Sequence, residues 1–213
     1  MRFIELNLGS QLTDYHETWD FQRKVHAEVV SGKAENTVIF VEHSPVYTAG
    51  RRTRQHERPQ DGTAVVDVDR GGKITWHGPG QLVAYPIIKL GNPIDVVAYV
   101  RDLESAVMDV CSHFDVATIR IPGRSGVWCD STDIDPWQRK VCAIGVRVAQ
   151  GVTMHGLALN CSPDLSNFKN IIPCGITDAD VTSLSLESKR NVSIQQVLPY
   201  LKDALTEQFQ DLG

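Results

Sequence analysis

The order of apolar and polar positions along the chain predicts a succession of strands and helices. Runs of β-branched and other apolar residues predict strands, and apolar residues at three- and four-residue spacing predict helices. The predicted strands cover residues 3–8, 37–42, 64–69, 82–88, 116–121, 126–129, 140–148 and 152–160. The predicted helices cover residues 13–30 and 94–113, with a third helix near the C-terminus.

Local signals place the ends of several elements. Gly32 follows the first helix as a C-cap, and Gln150-Gly151 joins the last two strands in a tight hairpin. The C-terminal helix starts at Ser193 with Gln196 three residues later, which is a capping-box pattern. Pro199 predicts a kink or a later start of this helix. The polar and basic residues 43–63 predict a surface loop.

The chain contains neither an internal repeat nor a linker, so we predict one domain over residues 1–213. The fold class is α+β, with a mixed β-sheet flanked by helices. The net charge of −5 gives no sign of a nucleic-acid partner. No apolar stretch is typical of a signal peptide or a membrane span, which favours a cytoplasmic location.

The first candidate for chemistry is the glycine-rich segment at residues 70–81. Four glycines in this segment leave little room for a core strand and allow the backbone to approach a ligand. Its spacing matches neither a P-loop nor a Rossmann fingerprint. An ordinary hairpin turn with a solvated His77 is the alternative.

Five cysteines, an odd number without a C-x-x-C pair, are interpreted as reduced thiols. Cys111 and Cys142 share apolar faces with their neighbours and are expected to pack in the core. Cys174 differs because Pro173 and Gly175 flank it, which predicts a turn that presents its sulfur. A thiol needs an electropositive neighbour to ionise at neutral pH.

Lys140 is the candidate for that neighbour. By strict alternation it shares the apolar face of its strand with Cys142 and Ile144, and a lysine in such surroundings can exchange protons near neutral pH. The alternative is that Lys140 ends the strand and points to water.

A metal site would combine His77, His155 and Cys174. Catalytic zinc sites normally contain a short local pair of ligands such as H-E-x-x-H, which this chain lacks. We therefore expect no metal and no cofactor.

Taken together, these motifs resemble a known family, the lipoyl(octanoyl) transferases of lipoate biosynthesis. The similar blocks stand in the family's order and cover residues 40–180. They are Glu42-His43-Ser44-Pro45-Val46-Tyr47-Thr48, Gly50-Arg51-Arg52, Arg70-Gly71-Gly72 through Thr75, His77-Gly78-Pro79-Gly80-Gln81, Tyr85-Pro86, Lys140, Ala143-Ile144-Gly145-Val146-Arg147, Thr153, His155-Gly156-Leu157-Ala158-Leu159-Asn160 and Pro173-Cys174-Gly175-Ile176.

The resemblance implies the fold of the biotin and lipoate protein ligase catalytic domain. It also implies an acyltransferase that moves octanoyl from acyl carrier protein, through a cysteine thioester, to a lysine of lipoyl domains. The acceptors implied are lipoyl domains of 2-oxoacid dehydrogenase E2 subunits and the glycine cleavage H protein.

The resemblance also assigns site residues. The nucleophile falls on Cys174 and its lysine partner on Lys140. The substrate-binding residues it implies are Arg70, Gly71, Gly72, Lys73, Ile74, Thr75, Trp76, His77, Ala143, Ile144, Gly145, Gly156, Leu157 and Ala158. Backbone N–H groups near Gly71-Gly72 or Cys174-Gly175 are candidate oxyanion donors. Arg51, Arg52, Arg54 and Arg58 are candidates for docking an acidic carrier protein, or else a solvated loop.

Two other functions remain open from the sequence. An ATP-dependent lipoate or biotin protein ligase on the same fold would need ATP and no nucleophilic cysteine. A non-catalytic protein that binds an acyl chain or a carrier protein would form no covalent adduct.

Overall fold

The computed structural model describes residues 1–132, 136–171 and 179–212. The described strands are β1 (Arg2–Leu6), β2 (Thr37–Val41), β3 (Val46–Ala49), β4 (Val65–Asp67), β5 (Ile74–His77), β6 (Gln81–Ile87), β7 (Ile119–Ile121), β8 (Arg124–Cys129), β9 (Gln138–Ala149), β10 (Val152–Asn160) and β11 (Ala179–Val181). The helices are α1 (Tyr15–Val30), α2 (Val96–His113), α3 (Leu184–Ser188) and α4 (Ile194–Phe209). Short 3-10 helices lie at Gln55–Glu57, Leu165–Asn170 and Gln210–Leu212.

A mixed sheet with helices on both faces organises these elements. Its strand order is β1-β2-β6-β10-β9-β8-β7, and β11 lies beside the first residues of β9. Helices α2 and α4 pack together on one face over the larger apolar core. Helix α1 covers the other face through Val25 and Val29. The predicted fold class, α+β with a mixed sheet flanked by helices, is confirmed.

Most predicted boundaries agree with the structure to within a few residues. Gly32 has a φ of +71° directly after the capping residue Ser31, and Gln150 and Gly151 both have positive φ in the β9–β10 hairpin. Ser193 and Gln196 form the predicted capping box. The predicted later start of that helix is wrong, because α4 begins at Ile194 and continues through Pro199.

Two segments predicted to lie outside the core contain buried strands. Within the predicted loop 43–63, β3 is largely buried, and within the glycine-rich segment 70–81, β5 is fully buried. Together with β4 they form a second sheet in the order β4-β3-β5. Trp76 and Tyr47 pack there against Phe168. The expectation of a surface loop was wrong because each strand is too short to show a period.

A β-bulge between β8 and β9 changes the face on which Lys140 lies. Val127 is paired with Cys142, but the next residue, Trp128, is paired with Lys140, so Val141 is the extra residue. Val141 and Cys142 both join the core under α2 and α4. Strict alternation therefore fails, and the prediction that Lys140 shares the face of Cys142 is wrong. Its alternative, a lysine that points to water, is also wrong, since Lys140 is only 6% exposed.

Gly126 and Glu104 hold the strand next to this bulge. Gly126 has a φ of +112°, and a Cβ atom there would lie 2.5 Å from the carbonyl oxygen of Cys142 and 3.4 Å from Cε of Lys140. The buried Glu104 carboxylate accepts a hydrogen bond from the Gly126 N–H at 3.0 Å. Arg101 and Arg120 neutralise that carboxylate at 2.6 Å and 3.2 Å. A buried charge is tolerated only with such partners.

Within the described ranges, none of the helices combines the length and apolar character required to cross a membrane. The further prediction of a single acyltransferase domain over residues 1–213 stays a prediction.

We expect the Gly126→Ala substitution to lower the free energy of unfolding by about 3 kcal/mol or more. The reason is that an L-residue is strained at this φ and its Cβ collides with backbone. Urea denaturation followed by circular dichroism measures the change. Gly123→Ala is the matched control, because Gly123 also has a positive φ but faces open space. An equal loss of unfolding free energy in both variants would show that the backbone contact at Gly126 adds nothing to the cost of its positive φ.

Candidate active site

A cavity of about 230 Å³ lies between the second sheet and the face of β9 and β10 that is turned away from α2. One wall comes from residues 70–77, and the floor comes from paired residues of the β9–β10 hairpin. Ala143 is paired with Ala158, and Gly145 with Gly156. Because these side chains are small or absent, the strands leave a groove above the sheet instead of filling it.

Arg70 fixes the glycine loop that forms the wall. Its guanidinium donates to the carbonyl oxygens of Gly71, Lys73 and Thr48 at 3.1, 2.8 and 2.8 Å. The loop also docks on β9, since the Gly71 N–H donates to the Val146 carbonyl at 2.9 Å. That bond occupies the Gly71 N–H, so it is not available as an oxyanion donor.

The glycine loop lies so close to other backbone segments that the positions facing it must be glycine. A Cβ atom on Gly50 would lie 2.6 Å from the Gly72 oxygen, and one on Gly145 would lie 3.0 Å from the Gly71 oxygen. Gly72 itself has a φ of +84°. These glycines are needed for contact between backbone segments around the cavity. The predicted approach of the segment 70–81 to a ligand stays a prediction.

Buried aromatic and imidazole rings form a second part of the site. Tyr15, at the start of α1, stacks on His77 with ring centroids 6.0 Å apart. His43 bonds the Tyr85 hydroxyl at 2.8 Å through Nε2 and the Thr13 carbonyl at 3.1 Å through Nδ1. Burial raises the pKa of Tyr15 to about 12.

The same burial keeps both of these histidines neutral. Loss of solvation lowers the pKa of His77 to about 3, with the neighbouring His43 as a further cause. Loss of solvation also lowers the pKa of His43 to about 4. This part of the site therefore consists of neutral hydrogen-bonding groups at neutral pH.

His155 lines the cavity in a strained conformation. Its φ is +58° within β10, which is rare for a residue other than glycine. Nε2 of His155 bonds Asp69 at 2.7 Å, and Arg147 also pairs with Asp69. Burial lowers the pKa of His155 to about 4 and outweighs the opposing effect of Asp69. From the sequence, His155 was noted as a possible metal ligand and as part of a motif block that resembles the family, but not as a predicted site residue.

Lys140 lines the cavity from the start of β9. Its ammonium lies over the Trp128 ring, 4.4 Å from the centroid, in a cation–π contact. Val181 of β11 is paired with Lys140, and the Thr182 N–H donates to the Lys140 carbonyl at 2.9 Å. The bulge and β11 together place this lysine at the edge of the groove.

The predicted nucleophile, Cys174, lies outside the described residues. The other four cysteines, Cys111, Cys129, Cys142 and Cys161, are all buried. Burial raises the pKa of Cys129 and of Cys161 to about 12, and it also raises the pKa of Cys111 and Cys142. A thiol with a raised pKa is a poor nucleophile at neutral pH.

The structure brings most of the predicted site residues together. Those that line the cavity are Arg70, Gly72, Lys73, Ile74, Thr75, His77, Lys140, Ala143, Ile144, Gly145, Gly156, Leu157 and Ala158. Among the described residues, Gly71 and Trp76 are predicted members outside that lining, since Trp76 packs in the second sheet.

Sequence reasoning missed other lining residues, namely Tyr15, Val83, Gly123, Arg124 and Ser125. They come from α1, β6, the β7–β8 turn and the start of β8, which no local pattern connects with the glycine-rich segment.

In the part of the chain that the structure describes, no three His, Cys, Asp or Glu side chains are arranged to hold a metal ion.

The buried neutral histidines predict a loss of stability in acid. An unfolded histidine has a pKa near 6.5, whereas His43, His77 and His155 have pKa values of about 4, 3 and 4 in the fold. The unfolded state therefore binds more protons between about pH 6.5 and pH 4, and stability falls as the pH falls through that window. Each histidine contributes about 1.4 kcal/mol per pH unit.

Urea denaturation at several pH values measures this slope. His43→Gln is expected to reduce the slope of unfolding free energy against pH by the contribution of about one bound proton. His56→Gln, at an exposed position, is the control and is expected to leave the slope as it is in the native protein. An unchanged slope in His43→Gln would contradict the prediction.

Comparison with known proteins finds a matching family model and similar curated relatives over most of the chain. Residues 14–206 match the family model of the lipoyl protein ligase A/B catalytic domain. An octanoyltransferase from Acidothermus cellulolyticus is 55% identical over 193 residues, which cover 91% of this chain and 86% of the relative. An octanoyltransferase from Streptomyces coelicolor is 48% identical over 96% of this chain and 93% of its own length.

Solved structures share the fold at low identity. A putative lipoate protein ligase from T. acidophilum with bound lipoic acid superposes with a TM-score of 0.70 at 14% identity, over 98% of this chain and 86% of that one. A biotin protein ligase from Aquifex aeolicus has a TM-score of 0.56 at 12% identity, over 99% and 70%. The chain thus belongs to the lipoyl protein ligase A/B catalytic-domain family and, within it, to the octanoyltransferases.

Proposed function

We propose that this protein transfers an octanoyl group from acyl carrier protein to a lysine of lipoyl domains, through a thioester on Cys174 and in the cytoplasm. The observation that carries the proposal is the buried Lys140 at the edge of a groove with a glycine and alanine floor. Family membership supports the reaction class, acyl transfer. The acceptors proposed are E2 lipoyl domains and the glycine cleavage H protein.

The chain path supports a meeting of Cys174 with Lys140. Cys174 is three residues after Ile171 (174 − 171) and five before Ala179 (179 − 174), and both of these residues border a space that Lys140 also lines. A three-residue step spans at most about 11 Å, which limits the reach of the chain from Ile171. On the other side, the pairing of β11 with β9 fixes Ala179 next to the start of β9.

The chemistry follows from the two groups. Lys140, in its neutral amine form, accepts the proton of Cys174, and the thiolate attacks the donor thioester carbonyl. The carrier thiolate is displaced and takes that proton back from Lys140, which returns to the amine. The amine of the acceptor lysine then attacks the Cys174 thioester, forms the amide and releases the thiol, with Lys140 as proton shuttle. Thioester exchange is nearly isoenergetic and amide formation is downhill, so the sequence of steps balances without a nucleotide.

The groove supplies a place for the acyl chain. Ala143, Ala158, Gly145 and Gly156 leave it open along the strands, and Val83 and Tyr85 of β6 contribute apolar surface. Burial of each CH₂ is worth about 0.8 kcal/mol, so the length of the groove can select the length of the chain.

Intact-protein mass spectrometry after incubation with octanoyl-acyl carrier protein, without ATP, tests the dyad. The native chain is expected to gain one hydroxylamine-labile octanoyl group, and Cys174→Ala none. Lys140→Ala is expected to form the adduct about 10²- to 10⁴-fold more slowly, because a general base is lost.

Two variants control this experiment. Cys129→Ser removes a buried thiol with a raised pKa, and Lys24→Ala removes an exposed ammonium, so both should acylate at the native rate. An adduct on Cys174→Ala would refute the nucleophile. An ATP requirement would identify a ligase, and binding of the acyl group without an adduct would identify a non-catalytic binding protein.

We also propose that exposed arginines beside the cavity dock the acidic carrier protein. Arg51, Arg52 and Arg54 are exposed, and Arg52 lines the cavity. Arg58, the fourth candidate, pairs with Asp67 and contributes less. The three arginines lie where a carrier-borne acyl group would enter, and charge attraction of this kind raises the association rate.

Reversal of these charges is expected to raise KM for the carrier substrate about tenfold at low salt and to flatten its dependence on salt. Steady-state kinetics of Arg52→Glu with Arg54→Glu at several ionic strengths measure this effect. Arg23→Glu, on the exposed side of α1, is the control and should behave as the native protein. Unchanged salt dependence in the double variant would remove the docking proposal.

A further inference from the structure

A continuous line of hydrogen bonds joins the glycine loop to the strand beside Lys140. Its members, in order, are Arg70, Thr48, His77, Gln81, Asn160 and Thr182. The distances are 2.9 Å from Arg70 to Thr48 Oγ1, 3.3 Å from Thr48 Oγ1 to His77 Nε2, 2.7 Å from His77 Nδ1 to Gln81 Oε1, 2.9 Å from Gln81 Nε2 to Asn160 Oδ1, and 2.9 Å from Asn160 Nδ2 to the Thr182 carbonyl.

The two ends determine the direction of every bond. The Arg70 guanidinium can only donate and the Thr182 carbonyl can only accept. The carbonyl requires the NH₂ of Asn160, which turns the Asn160 oxygen toward the NH₂ of Gln81. The Gln81 oxygen then faces His77, so Nδ1 of His77 must carry a proton.

The other nitrogen of His77 is also determined. Thr48 accepts from Arg70, so its hydroxyl proton is free to be donated to Nε2 of His77. In the neutral ring, Nδ1 donates its proton to Gln81 and Nε2 accepts a hydrogen bond from Thr48. Because neither nitrogen is left to take a proton from a substrate, His77 is excluded as a general base. The whole line is at most 8% exposed, and in such surroundings an unmatched polar group is costly.

We propose that this line of hydrogen bonds positions Thr182 and, through it, the backbone of Lys140, with Gln81 and Asn160 as positioning residues and His77 held neutral with its proton on Nδ1. Thr182 follows β11 directly, and its N–H donates to the Lys140 carbonyl at 2.9 Å. Asn160 holds the carbonyl of that same residue. Thr182 is therefore fixed on both sides, where the chain returns from Cys174.

The catalytic consequence rests on the proposed function, whereas the arrangement of protons does not. If Lys140 is the proton shuttle, loosening Thr182 shifts Lys140 in the groove and lowers the rate of the chemical step. Binding of the donor depends on other surfaces, so its KM should change little. A spectroscopic measurement on the free protein tests the arrangement of protons separately.

Nitrogen-15 NMR of the histidine side chains in the full-length protein is the first test, with His77→Asn used to assign the resonance. The native protein is expected to show His77 protonated on Nδ1. In Asn160→Ala the Gln81 amide is free to turn, and we expect the ratio of the Nδ1–H to the Nε2–H form to fall about tenfold.

Asn36→Ala is the matched control for that substitution. Asn36 also accepts one N–H, from Lys89, and donates to one carbonyl, of Leu212, but it lies at the other end of the sheet. It should leave the His77 tautomer unchanged. Gln81→Met is the second variant if Asn160→Ala does not fold, and it removes the acceptor of the His77 proton.

Octanoyl transfer kinetics are the second test. Asn160→Ala is expected to lower kcat about tenfold with KM for the donor within about twofold, whereas Asn36→Ala retains native values. The proposal is overturned if native His77 is protonated on Nε2 or on both nitrogens. It is also overturned if Asn160→Ala changes neither the tautomer nor kcat relative to Asn36→Ala. Absence of octanoyl transfer by the native protein would instead refute the proposed function. The NMR measurement of the His77 tautomer would still test the arrangement of hydrogen bonds.

Discussion

The bulge between β8 and β9 decides which side of the sheet receives the buried ammonium of Lys140. One extra residue, Val141, turns toward the α2–α4 core, and Lys140 turns to the groove. The bulge is compatible with the fold only because Gly126 has no Cβ to meet the facing backbone. The buried Glu104 accepts the Gly126 N–H and is itself neutralised by two arginines, so a charged residue of α2 supports β8.

The glycine-rich segment works together with that bulge. Arg70 folds the segment back on itself with hydrogen bonds to backbone carbonyls, and missing side chains on Gly50 and Gly145 allow it to contact β9 directly. The groove results from this contact on one side and from the paired glycines and alanines on the other. Its shape is therefore set by backbone atoms, which hold their positions better than long side chains.

The electrostatic character of the site comes from burial. His43, His77 and His155 are kept neutral because desolvation disfavours the imidazolium, and the described cysteines are kept as thiols for the same reason. Neutral polar groups in low dielectric need matched donors and acceptors, which is why the bonds from Arg70 to Thr182 all run in one direction. Positive charge is carried instead by exposed arginines such as Arg52, which lines the groove.

The sequence by itself determined the elements with a clear period, the capped N-terminus of α4 and the β9–β10 hairpin. These features depend on neighbours within a few residues. It also determined most residues of the groove, through ordered motifs that resemble the octanoyltransferases. The roles of Cys174 and Lys140 stay predictions. Only the tertiary structure decided that β3 and β5 are core strands, that Lys140 faces the groove, and that Tyr15 and Arg124 line it. The physical reason is that a bulge, a strand of four residues and a contact between distant elements depend on partners far along the chain, which leave no local period to read.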